Sequence, residues 1–590
     1  RGCYIAMPTQ ATSNQMYDRT RKYLSKRYQG IVNLQLVHGN TFIQGMQETH
    51  LAGIEPDHQG GAEEGSVAAM EWFMPLKRAL LAPFGVGTVD QAFISVLRAR
   101  YSVLRLFGLN RKVVIFDEVH AYDTYMMEIF KRLLPWLRAI GSSVILLSAT
   151  LPPQTRQDLA QAYQKAQPPI PDDTHYPRLT INAGHQITIR SLGEYPDRLI
   201  SLMKVPYDPT EPFDPEGAGG WLDLLRERLS DGGCAAVICN TVDRAQGVYR
   251  QIREANIVDQ KDLFLLHARF PFCWRNQKEE EIKNRFGKRE HPSDQPRRGI
   301  VVATQIIEQS LDLDFDLMIT DLAPVDLLIQ RIGRLHRHQD PQNAPARPEN
   351  LRDPLCLICQ PSIDEATGLP TLGSDKYVYD AATLLRTFYT LRPLQSLRLP
   401  SESDGLIKQV YSSEPLAVCN EHQNQKIAQE TKKMADDAAT EISQARERMI
   451  GDVDWSNTFT QSTYLNDDQA AGETTRALTR NIILPSVQIV CFIRQNGQTC
   501  VLDGGIPYDP AAIPPRGLLP NLMRSIVTVN KREVVKYFSS QPQNKAWRKQ
   551  PALRWAYPVI FENGACLLDN GTRLSLDEAF GLVVEGQSGH

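Results

Sequence analysis

Short apolar runs separated by segments of helical periodicity set the rhythm of the first two thirds of the chain. Val113-Val-Ile-Phe116 reads as a strand, Tyr125 to Ile140 as an amphipathic helix, and Ser143-Val-Ile-Leu-Leu147 as the next strand. Strand, helix, strand in that order predicts parallel strands with helices on both faces. The rhythm returns at Ala235–Cys239, Asp262–Leu266, Gly299–Ala303 and Asp316–Thr320. Two α/β domains in tandem are the simplest reading. The Pro- and Asp-rich stretch Pro168–Pro177 marks a joint, and Pro206–Gly220, with four prolines and three glycines, reads as a surface loop.

The pattern changes after about residue 400. His422 to Ile450 contains neither Gly nor Pro, and its apolar residues fall at Ile427, Met434, Ala438, Ile442, Ala445 and Met449. These spacings predict one long amphipathic helix. Strand-like runs follow, and Asn496-Gly497 between Val487–Ile493 and Thr499–Leu502 is a type I′ hairpin signal. The predicted layout is 1–172 for the first α/β domain, 173–395 for the second, 396–452 for a linker with the long helix, and 453–590 for a small C-terminal accessory domain.

Composition narrows the function classes. Of 590 residues, 42% are hydrophobic and 23% charged, which excludes disorder for the bulk of the chain. The net charge of −3 names no partner, so a nucleic-acid surface must come from local clustering of basic residues. No membrane is expected. The apolar run Asn481–Ile493 is interrupted by Pro485 and Gln488 and is shorter than the ~18–20 residues of a span. Ten cysteines are too few for a disulfide framework. The pair Cys356 and Cys359 lies in an apolar stretch that reads as a buried strand rather than a zinc site. A reducing, cytoplasmic compartment is expected. The chain opens with Arg1 and the strand-like Cys3–Ala6, so the expectation is that it starts partway through a larger protein.

The chemistry concentrates at strand ends. Asp117-Glu-Val-His120 directly follows the strand Val113–Phe116. Carboxylates at the C-terminal end of a parallel strand face the crevice where α/β sheets bind ligands. NTP hydrolysis needs two acids there: one to hold the magnesium that bridges the phosphates, one to position the attacking water. Asp117 suits the first role and Glu118 the second, although such pairs are often mere solvated caps. Ser148-Ala149-Thr150 follows the next strand and could relay phosphate state. Gln330-Arg-Ile-Gly-Arg-Leu-His-Arg337 spaces Arg331, Arg334 and Arg337 at intervals of three. Arginines so spaced share one side of a helical turn, can clamp oxyanions, and include a candidate for the arginine finger of phosphoryl transfer.

Together these residues resemble the superfamily 2 helicases, with motif II at Asp117–His120, motif III at Ser148–Thr150 and motif VI at Gln330–Arg337. Ala303–Asp316, Leu80–Gln91 and Ala6–Tyr17 narrow the resemblance to the type I CRISPR-associated helicase-nuclease, through its motifs V, Ib and Ia. The resemblance implies two RecA-like domains of parallel sheets with helices on both faces. It further implies ATP and Mg2+ as cofactors, with magnesium on Asp117, and ATP between the domains. Asp117, Glu118, Arg334 and Arg337 would be catalytic, Gln330, Arg331, Asp312 and His120 would bind nucleotide, and Ser148 and Thr150 would couple. Thr9, Gln10, Thr88, Gln91, Asn240, Thr241 and Thr304 would contact DNA, ordinary turn capping being the plain alternative for each. The implied partners are single-stranded DNA and the crRNA-guided Cascade complex, and the implied activity is ATP-driven translocation and unwinding of target DNA for degradation.

Two departures qualify the resemblance. The sequence has no G-x-x-x-x-G-K-[ST] loop and no His-Asp dipeptide. The family's phosphate loop, its HD nuclease and the nuclease metals are therefore expected upstream of Arg1. The missing first strand is expected to leave a sheet edge exposed beside Cys3–Ala6. The rival readings are a DNA-binding or bridging module with an inactive motor, and a superfamily 2 helicase acting on RNA. Finally, Lys531–Arg554 carries seven basic residues against Glu533, interleaved with Tyr537, Phe538 and Trp547. It reads either as a single-strand surface or as a small core with a solvated basic face.

Overall fold

The computed structural model describes residues 2–28, 32–37, 67–68, 76–99, 101–149, 151–164, 169–171, 176–183, 186–193, 195–207, 221–288, 297–309, 311–338, 346–453, 479, 486–548, 550 and 552–586. These divide into two compact units, Arg1–Glu194 with Ala435–Ile483, and Tyr195–Met434 with Leu484–His590.

The first unit is built on a six-stranded, fully parallel sheet. Its strands are β1 (Cys3–Met7), β2 (Val32–Val37), β3 (Val67–Ala68), β4 (Phe84–Thr88), β5 (Val113–Phe116) and β6 (Ser143–Leu146), in the order β3-β2-β4-β1-β5-β6. The expectation that Cys3–Ala6 lies beside an open edge is wrong. β4 and β5 pair with β1 on either side, which makes it a central strand. The apolar edge is β6, whose neighbourhood leaves Ile145 and Leu147 42% and 46% exposed. Helix Thr124–Ala139 crosses between β5 and β6, started by Asp123, which accepts the Met126 amide at 2.8 Å. Its apolar stripe, including Tyr125, Ile129, Phe130, Leu133 and Leu137, is buried against the sheet's core. An antiparallel pair absent from the sequence reading, β7 (Arg178–Ala183) and β8 (Gln186–Ser191), completes the unit's strands among the described residues.

The second unit holds a seven-stranded sheet of β9 (Arg198–Tyr207), β10 (Gly233–Ile238), β11 (Leu263–Leu266), β12 (Arg298–Ala303), β13 (Leu317–Asp321), β14 (Leu355–Pro361) and β15 (Ser396–Leu399). The order is β11-β12-β10-β13-β14-β9-β15, parallel except for β15 against β9. Every residue of β10 and β13 is buried, as expected of central parallel strands covered on both faces. Cys356 and Cys359 lie in β14, buried, and burial pushes their thiols up to about 12.

The long helix forms over Glu421–Arg448. Ile427 enters the core of the second unit, whereas Ala445, with Met449 and Ile450 after it, enters that of the first. The C-terminal segment forms β16 (Val487–Gln495), β17 (Gln498–Val501), β18 (Ile526–Val529) and β19 (Ala556–Phe561), then β20 (Ala565–Leu567), β21 (Arg573–Asp577) and β22 (Gly581–Glu585). Asn496 and Gly497 turn β16 into β17 at φ of 49° and 77°, as the hairpin signal requires. This segment belongs to the same compact unit as the second sheet.

Candidate active site

In the first unit the acidic residues stand where β5 ends. Asp117 donates its amide to the Ala6 carbonyl, which continues the pairing of β5 with β1 one residue beyond the strand. Its carboxylate accepts the Glu118 amide at 3.1 Å, and burial pushes its pKa up against that bond and the nearby His120. Glu118 sits at φ 52°, ψ 46°. A left-handed conformation is uncommon outside glycine and costs about 1 kcal/mol or more, a strain that recurs at functional turns. The turn aims the Glu118 carboxylate at His120, with Oε2 3.2 Å from Nε2. On the other side of the ring, Nδ1 lies 3.0 Å from Ser148 Oγ. The His120 ring thus lies between Glu118 and Ser148, hydrogen-bonded to Ser148 and in close contact, without a hydrogen bond, with the Glu118 carboxylate. Three of the residues singled out from two motifs are brought together. Thr150 lies outside the described residues.

The second unit gathers its residues at the C-terminal ends of β10 and β13. Arg331, on helix Val325–Ile332, is fully buried and all five of its donors are used. Nε reaches Glu308 Oε1 at 2.6 Å. Nη1 reaches Thr320 Oγ1 at 2.8 Å and the Asp321 carbonyl at 3.2 Å. Nη2 reaches Asn240 Oδ1 at 3.3 Å and Tyr379 Oη at 3.0 Å. In this arrangement Arg331 is spent inside the protein. The side chain ties together strand ends. Gln330, its neighbour on the helix, is half-buried.

Arg334, largely buried, donates to the Glu308 carbonyl at 2.6 Å. Arg337 and Asp312 come together in a half-exposed pair, with Nε 2.7 Å from Oδ1. The hydrogen bond from His338 and the Arg337 guanidinium hold the Asp312 carboxyl well below the usual carboxylate range.

The expected DNA contacts divide. Thr9 and Thr241 are partly exposed and cap helices, accepting the amides of Thr12 at 3.2 Å and Arg244 at 3.3 Å. Thr88, Gln91, Asn240 and Thr304 are buried. Gln91 Oε1 accepts from Arg105 at 2.8 Å, and Asn240 spends its amide side chain on the Leu322 carbonyl and Arg331. For Gln91 and Asn240 the amide groups meet buried polar neighbours, as buried polar groups generally do. The side chain of Gln10 lies outside the described residues.

Sequence reasoning misses two members of this cluster. Glu308 lies inside the motif V stretch but was not singled out, although an acid among apolar neighbours is a readable signal. Tyr379 carries no motif at all. Part of the basic stretch is core. Trp547 is fully buried and bonds Tyr508 Oη at 3.1 Å, Phe538 is core, and Lys531 pairs with Asp243 at 2.6 Å. Among the described residues no helix is long and apolar enough to cross a membrane.

Residues 231–340 match the family described as CRISPR-associated nuclease/helicase Cas3, C-terminal. A CRISPR-associated endonuclease/helicase Cas3 of Thermus thermophilus is 33% identical over 99% of this chain, which spans 66% of that relative's length. A solved T. fusca Cas3 with AMPPNP superposes with a TM-score of 0.77 at 27% identity, covering 99% of this chain and 65% of that one. A chain of a CRISPR RNA-guided surveillance complex, described as pre-nicking, superposes with a TM-score of 0.67 at 26% identity over 99% of this chain and 64% of its own. With two parallel α/β sheets and the motif residues at their strand ends, the chain belongs to the Cas3 helicase family.

Proposed function

We propose that this chain is the motor portion of an ATP-dependent, single-stranded DNA translocase that unwinds target DNA in type I CRISPR interference. The observation that carries the reading is the grouping of Glu118, His120 and Ser148 at adjacent parallel strand ends. It sets a carboxylate in a strained turn beside an imidazole that is hydrogen-bonded to the end of the next strand. Asp117 suits a magnesium ion. One half-buried carboxylate is enough, because Mg2+ in such sites takes its other ligands from phosphates and water. Magnesium would supply charge neutralisation across the phosphates. The chain's own residues would do the rest: Glu118 orients and accepts a proton from the attacking water, and His120 fixes the Glu118 rotamer.

Arg334 and Arg337 are proposed to stabilise charge on the transferred phosphoryl group, and Thr9 and Thr241 to lie along the DNA. Recruitment by a crRNA-guided complex is proposed from the likeness to the surveillance-complex chain. The test is Glu118→Gln in the complete protein. DNA-stimulated ATP hydrolysis should fall by about 10³-fold or more while nucleotide and DNA still bind. Hydrolysis at the wild-type rate would overturn the reading.

A further inference from the structure

Resting on that reading, we infer that Glu308 is a positioning residue for the arginine finger, setting Arg334 through its main chain while its side chain fixes the neighbouring turn. Helix Ile306–Gln309 brings Glu308 against helix Val325–Ile332 and the residues that follow it. One residue then serves two arginines spaced by three. The Glu308 carboxylate takes Arg331 Nε at 2.6 Å, and the Glu308 carbonyl takes Arg334 Nη2 at 2.6 Å.

The arrangement is specific in what it fixes. Arg331 is fully exhausted by its partners, and Glu308 supplies the carboxylate among them. A charge-assisted bond between two fully buried groups holds a geometry more tightly than a surface pair, because neither partner can exchange it for water. The carbonyl that meets Arg334 belongs to the same residue, so the Glu308–Arg331 bond locks the main-chain oxygen on which the Arg334 fork rests. The Arg334 amide also bonds the Arg331 carbonyl at 2.8 Å, which closes the loop between the two arginines. Glu308 touches no reacting atom in this account. It acts through Arg334.

A role of this kind predicts kinetic coupling rather than simple loss. In the complete protein, Glu308→Gln should lower kcat for DNA-stimulated ATP hydrolysis about 10- to 100-fold, the scale seen when a residue that orients a functional group is removed. KM for ATP should stay within about twofold, since binding contacts are untouched. The deciding measurement is the cycle with Arg334→Ala. Once Arg334 is gone, Glu308→Gln should cost no further kcat. Full additivity would overturn the inference and leave Glu308 a structural residue. An Arg334→Ala variant with wild-type turnover would instead overturn the assignment of Arg334, a different failure read from the same data. Should Glu308→Gln not fold, the pair-neutral variant Glu308→Leu with Arg331→Met, which leaves no unpaired buried charge, enters the same cycle with the same two outcomes.

Discussion

Asp375 shows how a single buried carboxyl shapes this cluster. It lies beside Asp321 at the end of β13, hydrogen-bonded by Asn240, with Arg244 and Arg331 as the nearby cations. Burial, then the charge of Asp321, pushes its pKa up from 3.8 to about 7. The unfolded chain releases this proton near the ordinary value, whereas the folded chain holds it to about 7. Between those two pH values the folded state binds more protons, so this group's contribution to stability falls as pH rises across the window. Asp375→Asn, which keeps the shape of the protonated acid, should flatten that fall. Urea unfolding at pH 5 and pH 8 measures it, and an unchanged difference between the two would exclude Asp375 as its source. The same residue marks a limit of legibility. Asp321 ends a strand that the apolar run Asp316–Thr320 announces, but Asp375 and Tyr379 lie far along the chain, and only folding brings them to Arg331.

At the scale of elements, strand β4 carries its reason in its glycines. Gly87 faces β2 so closely that a Cβ there would stand 2.0 Å from the Val37 carbonyl oxygen and 2.8 Å from Tyr4 Oη. Tyr4, in β1 on the other side of β4, donates to the Thr88 carbonyl at 3.0 Å. Gly87→Ala should therefore pry β2 from β4 and destabilise the first unit by at least ~2 kcal/mol. A thermal melt equal to wild type would show that the strands yield without cost. Strands such as β5 and β10 are plain in the sequence because four to six consecutive apolar residues have one stable use, burial on both faces. β9 is not, since Ser201 and Lys204 interrupt its apolar residues, and the β7–β8 pair carries Thr, Asn, Gln and Arg throughout. Their pairing comes from partners that the local pattern does not name.

Across the whole molecule, the C-terminal segment is held within the second unit by the turn between β21 and β22. Phe580 lies edge-on to Tyr249 at 5.2 Å, with the guanidinium groups of Arg250 and Arg253 5.3 and 5.1 Å from its ring. Its carbonyl accepts Gln246 Nε2 at 2.8 Å and meets His267 Nε2 at 3.0 Å. Gly581 follows at φ 70°, where a Cβ would stand 3.0 Å from the Arg269 carbonyl. Phe580→Ala should loosen this contact by roughly 2 kcal/mol, allowing for a half-buried ring. Faster deuterium uptake in both Val242–Glu254 and Arg573–Glu585 would report it, and unchanged uptake in the helix would show that the turn is not what holds it. This contact also separates what the sequence by itself determined from what tertiary structure decided. Strand order along the chain, the long helix, the hairpin turn and the chemical kind of the site residues follow from local periodicity and from side-chain chemistry, which are written residue by residue. Which strand became the sheet edge, which polar residues were consumed as struts, and which unit the C-terminal segment joined depend on burial by residues distant in sequence. Burial decides whether a donor meets a ligand or a neighbour, and no local pattern records it.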